Sequence, residues 1–84
     1  MARGDELFAV GDVASARLFY EHASDAGNAT AALRLGETYD PVFLARARLN
    51  GVLGDLALAR RWYRRARDLG ASEAEILLKN AVSR

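Results

Sequence analysis

Apolar residues recur along this chain with a helical period. Val13, Ala16, Phe19, Tyr20 and Ala23 stand three or four places apart, forming one apolar face over residues 12–26. Asp12 precedes that stretch as an N-cap, and Gly27 stops it. Asn28 caps a second stretch carrying Ala31, Ala32, Leu35 and Tyr39. Asp40-Pro41 marks a further start, with Pro at the first helical position. The short amphipathic segment 41–49 is then broken by Asn50-Gly51 and Gly54. Residues 55–69 turn Leu56, Ala59, Trp62, Tyr63, Ala66 and Leu69 inward, and Gly70 ends them. Ser72-x-x-Glu75 is a capping-box pattern that opens a last helix over about 72–83. One proline and few β-branched residues agree with an all-α chain.

The pattern repeats. Residues 11–36 return at 54–79, displaced by 43 places, and 11 of the 26 aligned positions are identical. The shared residues include both Gly-Asp starts, Ala16/Ala59, Arg17/Arg60, Tyr20/Tyr63, Ala23/Ala66 and Gly27/Gly70. A period of this size signals stacked supersecondary units. The alanines at 16, 23, 59 and 66 suit places where a neighbouring backbone comes close.

Composition sets the outer bounds. Eighty-four residues make one small domain with a limited core. The chain has no cysteine, which rules out disulfides and thiolate zinc sites. Its start lacks a basic segment followed by an apolar run, so no signal peptide is visible. No apolar stretch approaches the roughly 20 residues that a membrane helix needs. Charge is uneven: residues 1–43 carry a net −4, residues 44–67 a net +6, and residues 68–84 a net −1.

Leu35-Gly36-x-x-Tyr39 matches the L-G-x-x-Y signature of a tetratricopeptide first helix. Ala59-x-x-x-Tyr63-x-x-Ala66 resembles the second helix, and Ala16-x-x-x-Tyr20-x-x-Ala23 repeats it. The longer period and Gly54-Asp55, Ala59, Trp62, Tyr63, Ala66 and Gly70 resemble the Sel-one-like repeat family, a tetratricopeptide relative. The resemblance covers nearly the whole chain. It implies an all-α, right-handed α-solenoid of about two antiparallel helix pairs with a C-terminal capping helix. Repeat 1 would span about 1–27, and repeat 2 about 28–70 with an extra short helix near 41–49. Lys79 replaces the small residue found at Gly36, which agrees with a capping role for the last helix. Gly4 and Leu7 take the G and Y slots of the signature, so the chain would begin halfway along a first helix, as a piece of a larger repeat protein.

The resemblance further implies a concave face made by the first helix of each pair. It would hold Asp5, Phe8, Thr30, Leu33, Glu37, Glu73, Ile76 and Asn80, an acidic groove with apolar positions for another protein or peptide. A second candidate is the basic patch Arg46, Arg48, Arg60, Arg61, Arg64, Arg65 and Arg67, which would bind acidic protein or lipid surfaces. Nucleic acid is the weakest reading of that patch, because its aromatics belong to the core and leave no stacking platform. The open ends, around Leu7, Phe8 and Val10, would also allow copies to stack as a homo-oligomer. No chemistry is expected. His22 has no second ligand or nucleophile, Glu73 and Glu75 face different sides of a helix, and Gly51-x-x-Gly54-Asp55 lacks a phosphate-loop lysine. No catalytic residue, metal site or cofactor is assigned, and a non-enzymatic adaptor or scaffold is the function expected.

Overall fold

Short polar side chains set the helix starts. The structure, a computed structural model, describes residues 2–9, 11–49 and 51–82. Asp12 accepts the Ser15 amide at 3.2 Å and opens α2, Val13–Asp25. Asn28 accepts the Ala31 amide at 3.0 Å and opens α3, Ala29–Tyr39. Asp40 accepts the Val42 amide at 3.0 Å and opens α4, Pro41–Arg46. Asp55 accepts the Leu58 amide at 3.1 Å and opens α5, Leu56–Asp68. Each bond satisfies one of the amides a helix N-terminus leaves free. The remaining helices are α1, Ala2–Ala9, and α6, Ala74–Val82.

The stops are equally local. Gly27 and Gly70 have φ of +91° and +110°, where a Cβ would clash with the backbone. Behind them the Asn28 amide reaches back to the Ala23 carbonyl at 3.0 Å, and the Ala71 amide to the Ala66 carbonyl at 2.8 Å. These six-to-one bonds close α2 and α5 alike and satisfy the carbonyls at their ends.

The six helices pack antiparallel, and no strand occurs among the described residues. Successive long helices lie side by side in the order α1, α2, α3, α5, α6, with α4 branching from the end of α3. Extents of 30 × 28 × 16 Å describe a flattened body rather than a rod. The central helix α3 buries Ala31, Ala32, Leu33, Leu35, Gly36 and Thr38. On one side Leu35 joins Ala16 and Tyr20, and on the other Ala32 and Leu33 join Ala59, Tyr63, Ala66, Ala71, Ala74 and Leu78.

Two close approaches explain why small residues face the tyrosines. A Cβ at Gly4 would lie 2.5 Å from the Tyr20 ring, and one at Gly36 would lie 2.5 Å from the Tyr63 ring. In both places a glycine on one helix admits the ring of the next long helix, and an acid takes its hydroxyl. Tyr20 donates to Asp5, and Tyr63 donates to Asp40 at 2.8 Å. Asp40 is 2% exposed, so this buried carboxylate is held by both the cap and the phenol.

Three expectations need correction. Phe19 is 44% exposed rather than inward, because it lies on a side of α2 that the core does not reach. The short segment expected to reach residue 49 is helical only to Arg46, since Arg48 adopts φ of 60° and turns the chain. The last helix starts at Ala74, one place later than Ser72 as its N-cap implies. A tight turn precedes it, in which the Ala74 amide donates to the Ala71 carbonyl and the Glu75 amide to the Ser72 carbonyl, both at 3.1 Å. The expected end at 83 lies outside the described residues, as does Val10.

Candidate functional site

Asp5, Phe8 and Glu37, three of the eight residues expected on the concave face, meet in one cleft. α1 supplies Asp5, Phe8 and Ala9, α3 supplies Arg34, Glu37 and Thr38, α4 supplies Phe43, and the Tyr20 ring forms the floor. The cleft encloses about 170 Å³. Its apolar wall is an aromatic pair, Phe8 and Phe43, with ring centroids 5.7 Å apart and planes tilted by 34°. That separation and tilt lie in the favourable range for aromatic contacts.

The polar wall is an ordered set of charges. Arg34 donates to Glu37 at 2.8 Å, one helical turn on. Burial pushes the Glu37 carboxyl above its usual range, and the Arg34 guanidinium only partly offsets that. The same contact holds the Arg34 guanidinium more firmly protonated. Burial, the bond to Asp5 and the Asp5 charge all push the Tyr20 hydroxyl upward, so it remains a donor throughout the physiological range. Asp5 is therefore oriented by a phenol at its back while its residue stays exposed. This arrangement can accept a cationic or hydrogen-bond-donating group beside an apolar one.

The other expected groove residues are placed elsewhere. Leu33 is 4% exposed and packed in the core with Ala59, Tyr63 and Leu78, so it cannot touch a partner. Thr30 is exposed in the first turn of α3. Glu73 is exposed in the turn before α6, and Ile76 and Asn80 are exposed on α6 itself. None of these five lines the cleft. Arg34, Phe43 and Tyr20 were not anticipated there. The i,i+3 spacing of Arg34 and Glu37 was a legible signal, but the reach of Phe43 depends on how α4 folds back.

The basic patch is divided by its own contacts. Arg61, Arg64 and Arg65 border a second hollow of about 480 Å³ with Asp25, Trp62, Asp68 and Leu69. Arg65 donates to the Ser24 hydroxyl at 3.2 Å, and Arg67 pairs with Asp68 at 3.3 Å. Arg60 reaches the Ala81 carbonyl at 3.4 Å and serves the end of α6. Arg46 and Arg48 are exposed at the end of α4 and do not line this hollow. The seven arginines are thus not one surface.

Among the described residues, no group of three or more His, Asp or Glu side chains converges as metal ligands would. No helix among them is long and apolar enough to cross a membrane. The chain matches no protein-family model, no curated protein and no solved structure.

Proposed function

We propose that this chain is a non-enzymatic protein–protein interaction module that takes a peptide or helix in the cleft between α1, α3 and α4. The observation that carries this reading is the meeting of two carboxylates, Asp5 and Glu37, with the Phe8–Phe43 pair in one opening. Such an opening suits a basic side chain flanked by an apolar one, the former meeting carboxylates and the latter the rings. The wider architecture in this proposal is a short right-handed array of tetratricopeptide or Sel-one-like helix pairs, with α6 as the capping helix. The recurrence of the glycine–tyrosine slots and of the Asp12 and Asp55 caps supports it.

A displayed random-peptide library tests the cleft. Sequences combining Lys or Arg with Leu, Phe or Trp should be enriched. An enriched peptide should bind at least tenfold more weakly to Asp5→Asn and Phe43→Ala variants of unchanged helicity. Enrichment of acidic sequences, or binding indifferent to both substitutions, rejects the cleft. Acidic sequences lost on Arg61→Gln and Arg64→Gln would instead favour the second hollow, where Trp62 lies beside those exposed arginines.

A further inference from the structure

The cleft between α1, α3 and α4 carries charge but few open hydrogen-bonding groups. Glu37 is largely buried and accepts from Arg34 at 2.8 Å. Asp5 accepts from the Tyr20 hydroxyl. The Thr38 hydroxyl donates to the Leu35 carbonyl at 2.6 Å and accepts from the Arg17 guanidinium at 3.3 Å. Asp5, whose residue is exposed, is the acceptor most open to a ligand. Two carboxylates against one guanidinium still leave the lining net negative, and beside them stand Phe8 and Phe43.

These features select among cations by their donors. A lysine ammonium brings three N–H donors and an arginine guanidinium five. The exposed Asp5 carboxylate satisfies only part of either set, and donors turned to the rings lose water without gaining an acceptor. A trimethylated lysine keeps the positive charge, has no N–H, and turns methyl groups to the rings. Aromatic rings attract a cation lying within about 6 Å of their centroids, and quaternary ammonium groups are recognised in this way. The Phe8 and Phe43 centroids are 5.7 Å apart, so one cation at the opening can lie within that reach of both. The enclosed volume of about 170 Å³ is below the roughly 300–1,000 Å³ of sites for drug-sized ligands and suits one compact head group.

We propose, on the footing that the cleft takes a peptide, that the group it recognises there is the quaternary ammonium of a trimethylated lysine. The head group lies against Phe8 and Phe43, and Asp5 and Glu37 supply the opposing charge. Unmodified Lys or Arg binds at the same place more weakly. A choline lipid carries the same head group with a phosphate close beside it, which a net negative lining opposes. Lysine brings an apolar four-carbon stem instead.

Two measurements on the full chain separate the head group from the peptide. Tetramethylammonium should move the ring proton signals of Phe8 and Phe43 saturably, while ammonium at equal ionic strength leaves them in place. A peptide enriched by display is then made with its basic residue as Lys, as trimethyl-lysine and as the uncharged tert-butyl isostere. The trimethyl form should bind roughly fivefold more tightly than either of the others. Phe43→Leu, which keeps apolar bulk, should bring the ratio of trimethyl-lysine to Lys affinity towards one. Phe8→Leu serves the same purpose if the first variant loses helicity. A peptide bound equally well with Lys overturns the quaternary ammonium and leaves the cleft standing as a peptide site. Equal binding of the isostere would reduce the contact to apolar burial and overturn it too. Tetramethylammonium shifts with no enriched peptide would reject the peptide site, and the lysine with it. Co-sedimentation with phosphatidylcholine vesicles, lost on Phe43→Leu, would assign the head group to a lipid and overturn the lysine.

Discussion

Single residues decide the character of the cleft, and Glu37 is the most sensitive of them. Its carboxyl is raised above the ordinary value of 4.5, chiefly by burial. A carboxyl raised in the folded state binds its proton more tightly there than in the unfolded chain. Its contribution to stability is therefore fully present below about pH 4.5 and falls as pH rises through the raised folded value. Glu37→Gln removes this dependence. Urea unfolding of the two proteins across pH 4 to 7 should show the variant gaining on the wild type as pH rises. A constant difference would mean that Glu37 titrates as an ordinary carboxylate. Side-chain spacing revealed that Arg34 and Glu37 can pair. It could not reveal the burial of Glu37, which lies in the cleft with residues of α1 and α4 while Arg34 stays 42% exposed.

At the scale of elements, one device recurs across the repeat. Arg17 on α2 caps the end of α3: its guanidinium donates to the Thr38 hydroxyl at 3.3 Å, and also to the Thr38 carbonyl and to the Leu53 carbonyl at 3.2 Å. It also lies 3.9 Å from the centroid of the Tyr39 ring. Arg60 on α5 treats α6 in the same way, donating to the Ala81 carbonyl, and Ala81 stands 43 places after Thr38. Alanine has no hydroxyl, and the Arg60 Nε is buried without a partner among the described residues. Supplying that acceptor should help, because an unmet buried donor costs about 1–3 kcal/mol. Ala81→Ser is expected to raise unfolding stability by about 1 kcal/mol. In an Arg60→Met background the same substitution should gain nothing, and thermal unfolding of the four proteins checks both statements. The identity of Arg17 and Arg60 was visible in the repeat, yet it read only as a shared position, with Arg60 assigned to a basic patch. That they cap helix ends is a tertiary fact, since the carbonyl each one serves lies 21 residues away.

The whole molecule is built from neighbours in sequence, with α3 and α5 sharing the most extensive contact. Stability should therefore be graded from the middle outward. Amide hydrogen exchange should be slowest in α3 and α5, where Tyr63, Ala59 and Ala66 have no exposed surface, and fastest in α1, α4 and α6. Uniform protection of all six helices would instead describe a single indivisible unit. Low sequence separation of the packed pairs also favours rapid folding.

The sequence by itself determined the helices, their caps and stops, and most of the buried face, because these depend on spacing and on residues a few places apart. Asp12, Asn28, Asp40, Asp55, Gly27 and Gly70 act where their positions implied. Tertiary structure alone decided which faces found a partner. Phe19 and Trp62 hold the same slot, but among the described residues only Trp62 packs against the core clusters. Leu33 and Ile76 hold another, and they are 4% and 65% exposed because the first is enclosed in the core with residues of α5 and α6 while no described element covers the second. Local pattern can mark a side chain as apolar and inward-facing. Whether anything stands opposite depends on the order in which whole helices pack.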